Sequence, residues 1–219
     1  MTTLADITAA AGEVGLCPRG ALHLDNDPEW GTGTVVLLGP DEPGFWARFA
    51  AAPEYSDGAA DPLDRWSKRV LTGLAADFDA RVVFPSDGPP YPPFLRWAVD
   101  SGQSWLAPPR LLVHAEAGLL ISFRGALILR DHLELPPAST SPCDSCADRP
   151  CATACPVGAL GSGAAYDVPL CAAHVRSEAG LLCREHGCRV RQACPVSAGL
   201  QRPAAQSGFH MSAFLGSRL

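Results

Sequence analysis

Eight of the nine cysteines in this 219-residue chain fall between Cys143 and Cys194. That crowding limits what the last third can fold into more than any other feature. In a reducing compartment, clustered thiols more often hold metal than pair as disulfides. The first block reads Cys143-x2-Cys146-x4-Cys151-x3-Cys155-Pro156, and the second contributes Cys171, Cys183, Cys188 and Cys194-Pro195. The bacterial ferredoxin run is C-x2-C-x2-C-x3-C-P, in which three thiolates wrap one cube and the fourth reaches the neighbouring cluster. The first block keeps the x3-C-P end and widens only the middle gap.

Eight thiolates suit two [4Fe-4S] clusters with four cysteine ligands each. Soft all-sulfur sites select iron-sulfur or zinc, so ligand type alone leaves zinc and purely structural cysteines open as alternatives. The proline after the last cysteine of both blocks favours iron-sulfur, because zinc ribbons show paired C-x2-C knuckles instead. The crossing rule then assigns Cys143, Cys146, Cys151 and Cys194 to one cluster and Cys155, Cys171, Cys183 and Cys188 to the other. Cys17 stands apart in Gly15-Leu16-Cys17-Pro18, and it reads as a buried or idle thiol.

The rest of the composition narrows the function. A net charge of -6 with no long charge run argues against nucleic acid as a partner. The first 15 residues carry acidic groups and no apolar core with a cleavage site, so a cytoplasmic location is expected. Apolar runs such as 118–123 fall far short of the roughly 20 residues a membrane helix requires, and no membrane partner is expected. The triplet Gly31-Thr32-Gly33 precedes a strand and lacks the third glycine, so it is no dinucleotide fingerprint.

Upstream of the cysteines, residues 1–135 read as one α/β domain and 136–219 as a metal-dense module with a C-terminal tail, joined by the linker LPPASTSP at 135–142. Helical periodicity covers 4–14, 44–52, 62–78 and 94–100, the third opened by Asp61 as N-cap with Pro62 at the first position. Residues 34–38 (TVVLL) and 81–84 read as strands, and the apolar runs 111–114 and 119–129 suggest a hairpin. Strands and helices alternate without regular βαβ spacing, which points to an α/β sandwich with a mostly antiparallel sheet. Arg65, Lys68 and Arg69 share one helical stretch and read either as a phosphate-facing edge or as a solvated face. His132, His174, His186 and His210 lie in or near polar segments and are expected to be solvated.

The stretch from Ala98 to Gly118, AVDSGQSWLAPPRLLVHAEAG, resembles the segment that corrinoid-dependent reductases write as AGLGWIGKNxLLIHPxxG. An apolar strand and the cysteine block follow it in the same order. Epoxyqueuosine reductase, reductive dehalogenases and cblC-type cobalamin dealkylases make up that superfamily. The likeness covers about 30–197 and implies a nitroreductase-like α/β domain with a ferredoxin-like two-cluster module. It also implies a cobalamin cleft near Trp97, Trp105, Ala107, Arg110 and His114. A tryptophan there either stacks on a flat macrocycle or packs in the core, and His114 either faces the corrinoid or ends a strand. The chain departs from the pattern where the reductases' Gly-Lys-Asn turn is replaced by Ala107-Pro108-Pro109, which removes two backbone donors.

The expected function is thus an iron-sulfur oxidoreductase that passes single electrons through two clusters to a centre in the α/β domain, for which the resemblance implies a corrinoid. A redox partner protein or reductase would supply the electrons. The alternatives are a ferredoxin-type electron-transfer protein without a corrinoid and a cobalamin-processing chaperone. No catalytic residue is assignable from the sequence.

Overall fold

The run TVVLL forms the centre of strand β2 (Gly31–Pro40) in the computed structural model, which describes residues 2–161 and 165–216. Every position of β2 from Gly33 to Pro40 is buried, and so is all of β6 (Gly125–Leu129). Strands covered on both faces carry continuous apolar runs rather than alternation. The sheet order is β1-β2-β6-β3, with β1 spanning Leu16–Asp27 and β3 Arg81–Val83, and every neighbouring pair is antiparallel. The protein is therefore mixed α/β with a mostly antiparallel sheet, as its segment order suggests.

Helix α1 (Leu4–Glu13) opens on a capping box between Thr3 and Asp6 and packs on β1. Helix α4 (Pro62–Asp77) lies on β3 and β6, and α5 (Phe94–Asp100) lies on β1 and β2. Between them, α2 (Phe45–Ala50) and α3 (Pro53–Ser56) bring Phe45 and Phe49 edge-on to Trp66 at 5.5 and 5.9 Å. Thr34 is buried but satisfied, donating to the Asp131 carbonyl at 2.7 Å and accepting from the Leu133 N–H at 2.9 Å.

These elements belong to a first unit, Met1–Ser104 with Ser122–Ser139. A second unit comprises Trp105–Ile121 with Thr140–Leu219. The division falls at 139 rather than 135, because the expected linker is tied down: Ser139 N–H donates to the Gly102 carbonyl at 3.0 Å, and its hydroxyl donates to Gln103 Oε1 at 2.8 Å. The segment 105–121 groups with the cysteine-rich part of the chain.

Two local readings change, and one strand had no reading at all. Strand β1 runs through Pro18 and Gly20, which break any strand pattern; it sits at the sheet edge with register shifts around Pro18/Ala21 and Leu24/Asp27, where such residues are tolerated. Asp61 precedes α4 but adopts φ 51°, and its side chain makes no capping bond; its carbonyl accepts from Arg65 N–H instead. Finally, 111–114 and 119–129 form no hairpin. β5 (Leu112–His114) pairs with β4 (Ser104–Leu106), and β6 begins only at Gly125 and joins the larger sheet.

The second unit carries little sheet. Its helices are α6 (Val168–Arg176), α7 (Leu181–His186), α8 (Arg189–Gln192), α9 (Pro195–Ala198) and α10 (Ala204–Gly216), with 3-10 turns at Pro150–Ala152 and Glu178–Gly180. Helix α10 packs chiefly on α7. Among the described residues, no helix is long and apolar enough to cross a membrane.

Candidate metal centre

The chain after β5 returns on itself through a tight turn in which His114 and Gly118 exchange two backbone hydrogen bonds of 3.0 Å. His114 is buried, and its Nδ1 accepts from the N–H groups of Glu116 and Ala117 at 3.0 and 3.1 Å. Nδ1 is thereby the unprotonated ring nitrogen, so the histidine closes this turn. The contacts of Leu119 and Leu120 explain the missing hairpin. Leu119 N–H donates to Ser197 Oγ at 2.9 Å, the Leu119 carbonyl accepts from Arg191 Nη1 at 2.5 Å, and the Leu120 carbonyl accepts from Arg202 Nη2 at 2.7 Å. Side chains from the far end of the sequence take the backbone groups that a ladder would have used.

That arrangement holds segment 118–119 against the cysteines. Cys143, Cys146, Cys151 and Cys194 line one cavity of about 210 Å³, whose other walls include Ala107, Pro108, Val113, Leu119 and Arg149. Three of the four thiols have a local reason for their place. Cys151 sits in the 3-10 turn, and Cys194 immediately precedes α9, with Pro195 at the first helical position. Cys143 N–H donates to Ser141 Oγ at 3.3 Å. Gly118 allows the close approach: at φ +55° an added Cβ would lie 2.6 Å from Ser197 N and 3.0 Å from Cys194 Sγ.

Burial pushes the Cys151 thiol above its ordinary pKa, and the neighbouring Cys194, Cys143 and Cys146 push the same way. Cys143 is raised by burial too, with Cys194 and Cys146 adding to it and the Ser141 hydrogen bond opposing. Four thiols thus share a space where bare thiolates are disfavoured, which is a place that gains from a bound cation.

The other four thiols form a second group. Cys171 lies on α6, Cys183 on α7, Cys188 just before α8, and Cys155 at the end of the first block. Cys183 is buried, and its thiol is raised first by burial; the Arg189 N–H lowers it, while Cys188, Cys171 and Cys155 raise it further. Tyr166 is pushed upward by burial and by its hydrogen bond to Cys171. The fold therefore brings Cys155 to the cysteines of the second block and Cys194 to those of the first. None of the nine cysteines forms a disulfide.

Among the described residues, no group of three or more His, Cys, Asp or Glu is disposed to hold a single metal ion. Thiolates on one tetrahedral ion must converge on a point, whereas those on a cube each take a different corner.

The residues implied as a corrinoid cleft are divided between the two units. Trp97 belongs to the first unit, is fully buried, and meets Trp30 and Phe94 edge-on at 5.2 and 5.6 Å. Trp105, Ala107, Arg110 and His114 belong to the second. There Trp105 packs beside Ala107, Val113 and Leu119, Arg110 is exposed at φ 59°, and Ala107 and Pro108 line the cysteine cavity. Arg65, Lys68 and Arg69 are paired with Asp57, Asp87 and Glu54, as a solvated helix face would be. His132 and His186 are exposed as expected, while His174 and His210 are half-buried.

Sequence reasoning missed Gly118, Ser197, Arg191 and Tyr166. Ser197 follows Cys194 by three residues and Arg191 precedes it by three, so helical spacing around the last Cys-Pro was the available signal. No protein-family profile, curated protein or solved structure matches the chain.

Proposed function

We propose that the second unit binds two [4Fe-4S] clusters and that the protein moves single electrons between redox partners. The observation that carries this reading is the cavity of about 210 Å³ shared by Cys143, Cys146, Cys151 and Cys194, with Cys155, Cys171, Cys183 and Cys188 grouped separately. The first four hold one cluster and the second four the other. When bound, such clusters supply one-electron chemistry at potentials set by their surroundings. The chain's own part is to hold the thiolates and to exclude water with Val113, Leu119 and Val190.

Between the electron-transfer reading and the corrinoid-dependent one, the positions of two groups favour the former. Ala107 and Pro108 face the cysteine cavity, and Trp97 is covered by other aromatic rings. Titrating the anaerobic protein with cob(II)alamin separates the two: no displacement of the lower ligand is expected, and micromolar binding with that displacement would restore the corrinoid. The cluster reading is tested by anaerobic purification. About eight iron and about eight acid-labile sulfide per chain are expected, and stoichiometric zinc without sulfide would overturn it.

A further inference from the structure

Strands β2 and β6 are paired on both sides, but β1 stands at the edge of the sheet and pairs with β2 alone. Its register shifts at Pro18/Ala21 and Leu24/Asp27 leave 21–24 as the uninterrupted piece, about 13 Å of extended chain. Among the described residues, no backbone hydrogen bond reaches these four from the side away from β2. An open groove of about 640 Å³ is lined by residues 21–28 and by Arg96, Trp97, Asp100 and Ser101 at α5. No residue of β2 lines it, so it lies on the open side of β1, and all its walls belong to the first unit. A groove between an edge strand and a helix is a setting in which an extended peptide adds to a sheet: the strand supplies backbone hydrogen bonds and the helix side-chain contacts.

Three features of the groove say what would fill it. Trp97 is fully buried, yet its Nε1 finds no hydrogen-bond acceptor among the described residues. A buried donor left unpaired is costly, and an entering peptide carbonyl supplies an acceptor. Charge is the second feature. Asp25, Asp27 and Asp100 line the groove against the single guanidinium of Arg96, which pairs with Asp27 at 3.5 Å. The Asp25 side chain is 80% exposed, with His132 Nε2 3.8 Å away, and Asp100 is exposed. The first unit as a whole carries seventeen acidic and nine basic residues, so a second copy or a phosphate backbone is repelled and a cationic segment is drawn in. Third, Leu95 and Val99 stand one turn apart on α5, 70% and 43% exposed, and offer a protein partner apolar surface on the same helix. We propose that β1 and α5 dock an extended segment of a partner protein, which pairs with 21–24 as a fifth strand and sets lysine or arginine side chains against Asp25 and Asp100. This docking needs no cluster in the second unit, so it stands or falls apart from the electron-transfer reading.

The probe is a fluorescein-labelled octapeptide of alternating lysine and valine, titrated into the anaerobically purified full chain and followed by anisotropy. Two further peptides separate charge from strand pairing: one of alternating glutamate and valine, and the lysine–valine peptide methylated at every backbone nitrogen. The lysine–valine peptide is expected to bind, and the glutamate–valine peptide is not. Methylation keeps the charge but removes the peptide's backbone donors, and should weaken binding by at least about tenfold. A chain carrying both Asp25→Asn and Asp100→Asn, two exposed positions, should bind about fivefold more weakly, the scale of two screened ion pairs. Hydrogen exchange should show protection rising at 21–24 and unchanged at β3, the other edge of the sheet. Equal binding of the methylated peptide would reduce the contact to non-specific charge and overturn the proposal. So would binding of the glutamate–valine peptide, an unaffected double variant, protection gained elsewhere, or no binding of the lysine–valine peptide at about 1 mM. Concentration-dependent self-association that itself protects 21–24 would give the edge to a second copy and overturn it too.

Discussion

The two units are stabilised by different means. In the first, Val35, Val36, Leu37 and Leu38 of β2 and Ala126 and Leu127 of β6 are wholly buried, and α4 and α5 close over the sheet. In the second, α7 has six residues and α8 and α9 four each, lengths at which helices do not persist on their own propensity. One buried cluster there, of Ala107, Val113, Leu119, Cys151, Leu160, Val190 and Cys194, includes two of the candidate ligands. The first unit thus has a sheet-centred apolar core, while two cysteines take part in a buried cluster of the second. On the cluster reading proposed above, a bound metal would take over in the second unit the organising part that the hydrophobic core plays in the first.

Removing iron should produce the largest contrast. Structural metal sites contribute on the order of 10 kcal/mol to small domains, more than the short helices of the second unit supply. Chelation under oxidising conditions is expected to abolish amide protection across α6 and α7 while β2 and β6 keep theirs, read by hydrogen exchange. Protection that survives in α6 and α7 would mean that the second unit has a sufficient core without its metal.

The converse perturbation is Leu127→Ala. Leu127 is fully buried and pairs with Val36 and Val82 across the sheet, so the cavity should cost about 2–5 kcal/mol. Denaturant unfolding should show that loss in the first unit with iron content unchanged. A fall in iron to match the loss of stability would erase the distinction between the units.

How much of this contrast was legible beforehand depends on where each kind of information sits. Helix α4 and strand β2 were readable because their apolar period or run survives intact, and the cysteine blocks because their spacing is itself the motif. Strand β1 was not, since Pro18 and Gly20 interrupt it and only the edge position makes them tolerable. Residues 119–121 look like a strand by composition, yet Ser197, Arg191 and Arg202 take the backbone groups of Leu119 and Leu120. Long-range contacts made by single polar side chains leave no periodic trace.

A smaller effect is expected from Gly118→Ala. The residue stands at φ +55°, and the new Cβ would press on Ser197 N, Ser197 Oγ and Cys194 Sγ. Strain of this kind costs about 1–3 kcal/mol, and it falls on the last ligand of the first group. The variant should lose iron from that cluster before the other, seen as selective decay of one EPR signal, and its first unit should unfold as in the wild type. Equal loss from both clusters would argue that the turn at 114–118 supports the second unit as a whole.

The smallest effect separates the units by pH. Glu54 in α3 is only 8% exposed and accepts two hydrogen bonds from Arg69, at 2.5 and 3.0 Å. The Arg69 hydrogen bonds hold its carboxyl below the usual range, against a smaller opposing effect of burial. Burial is the minor influence because Arg69 itself is over half exposed and water reaches the pair. A carboxyl with a depressed folded pKa contributes stability that is fully present above its unfolded value, about 4.3, and is lost as pH falls through the lower folded value. Glu54→Gln should therefore cost about 0.5 kcal/mol at pH 7, the scale of a screened ion pair, and the gap from wild type should close on acidification below pH ~4. Thiolate ligands give the second unit a steeper response, since protons compete with metal for the same sulfurs. Iron release should thus precede unfolding of the first unit as pH falls, and simultaneous loss of both would show that the α/β core depends on the cysteine unit after all.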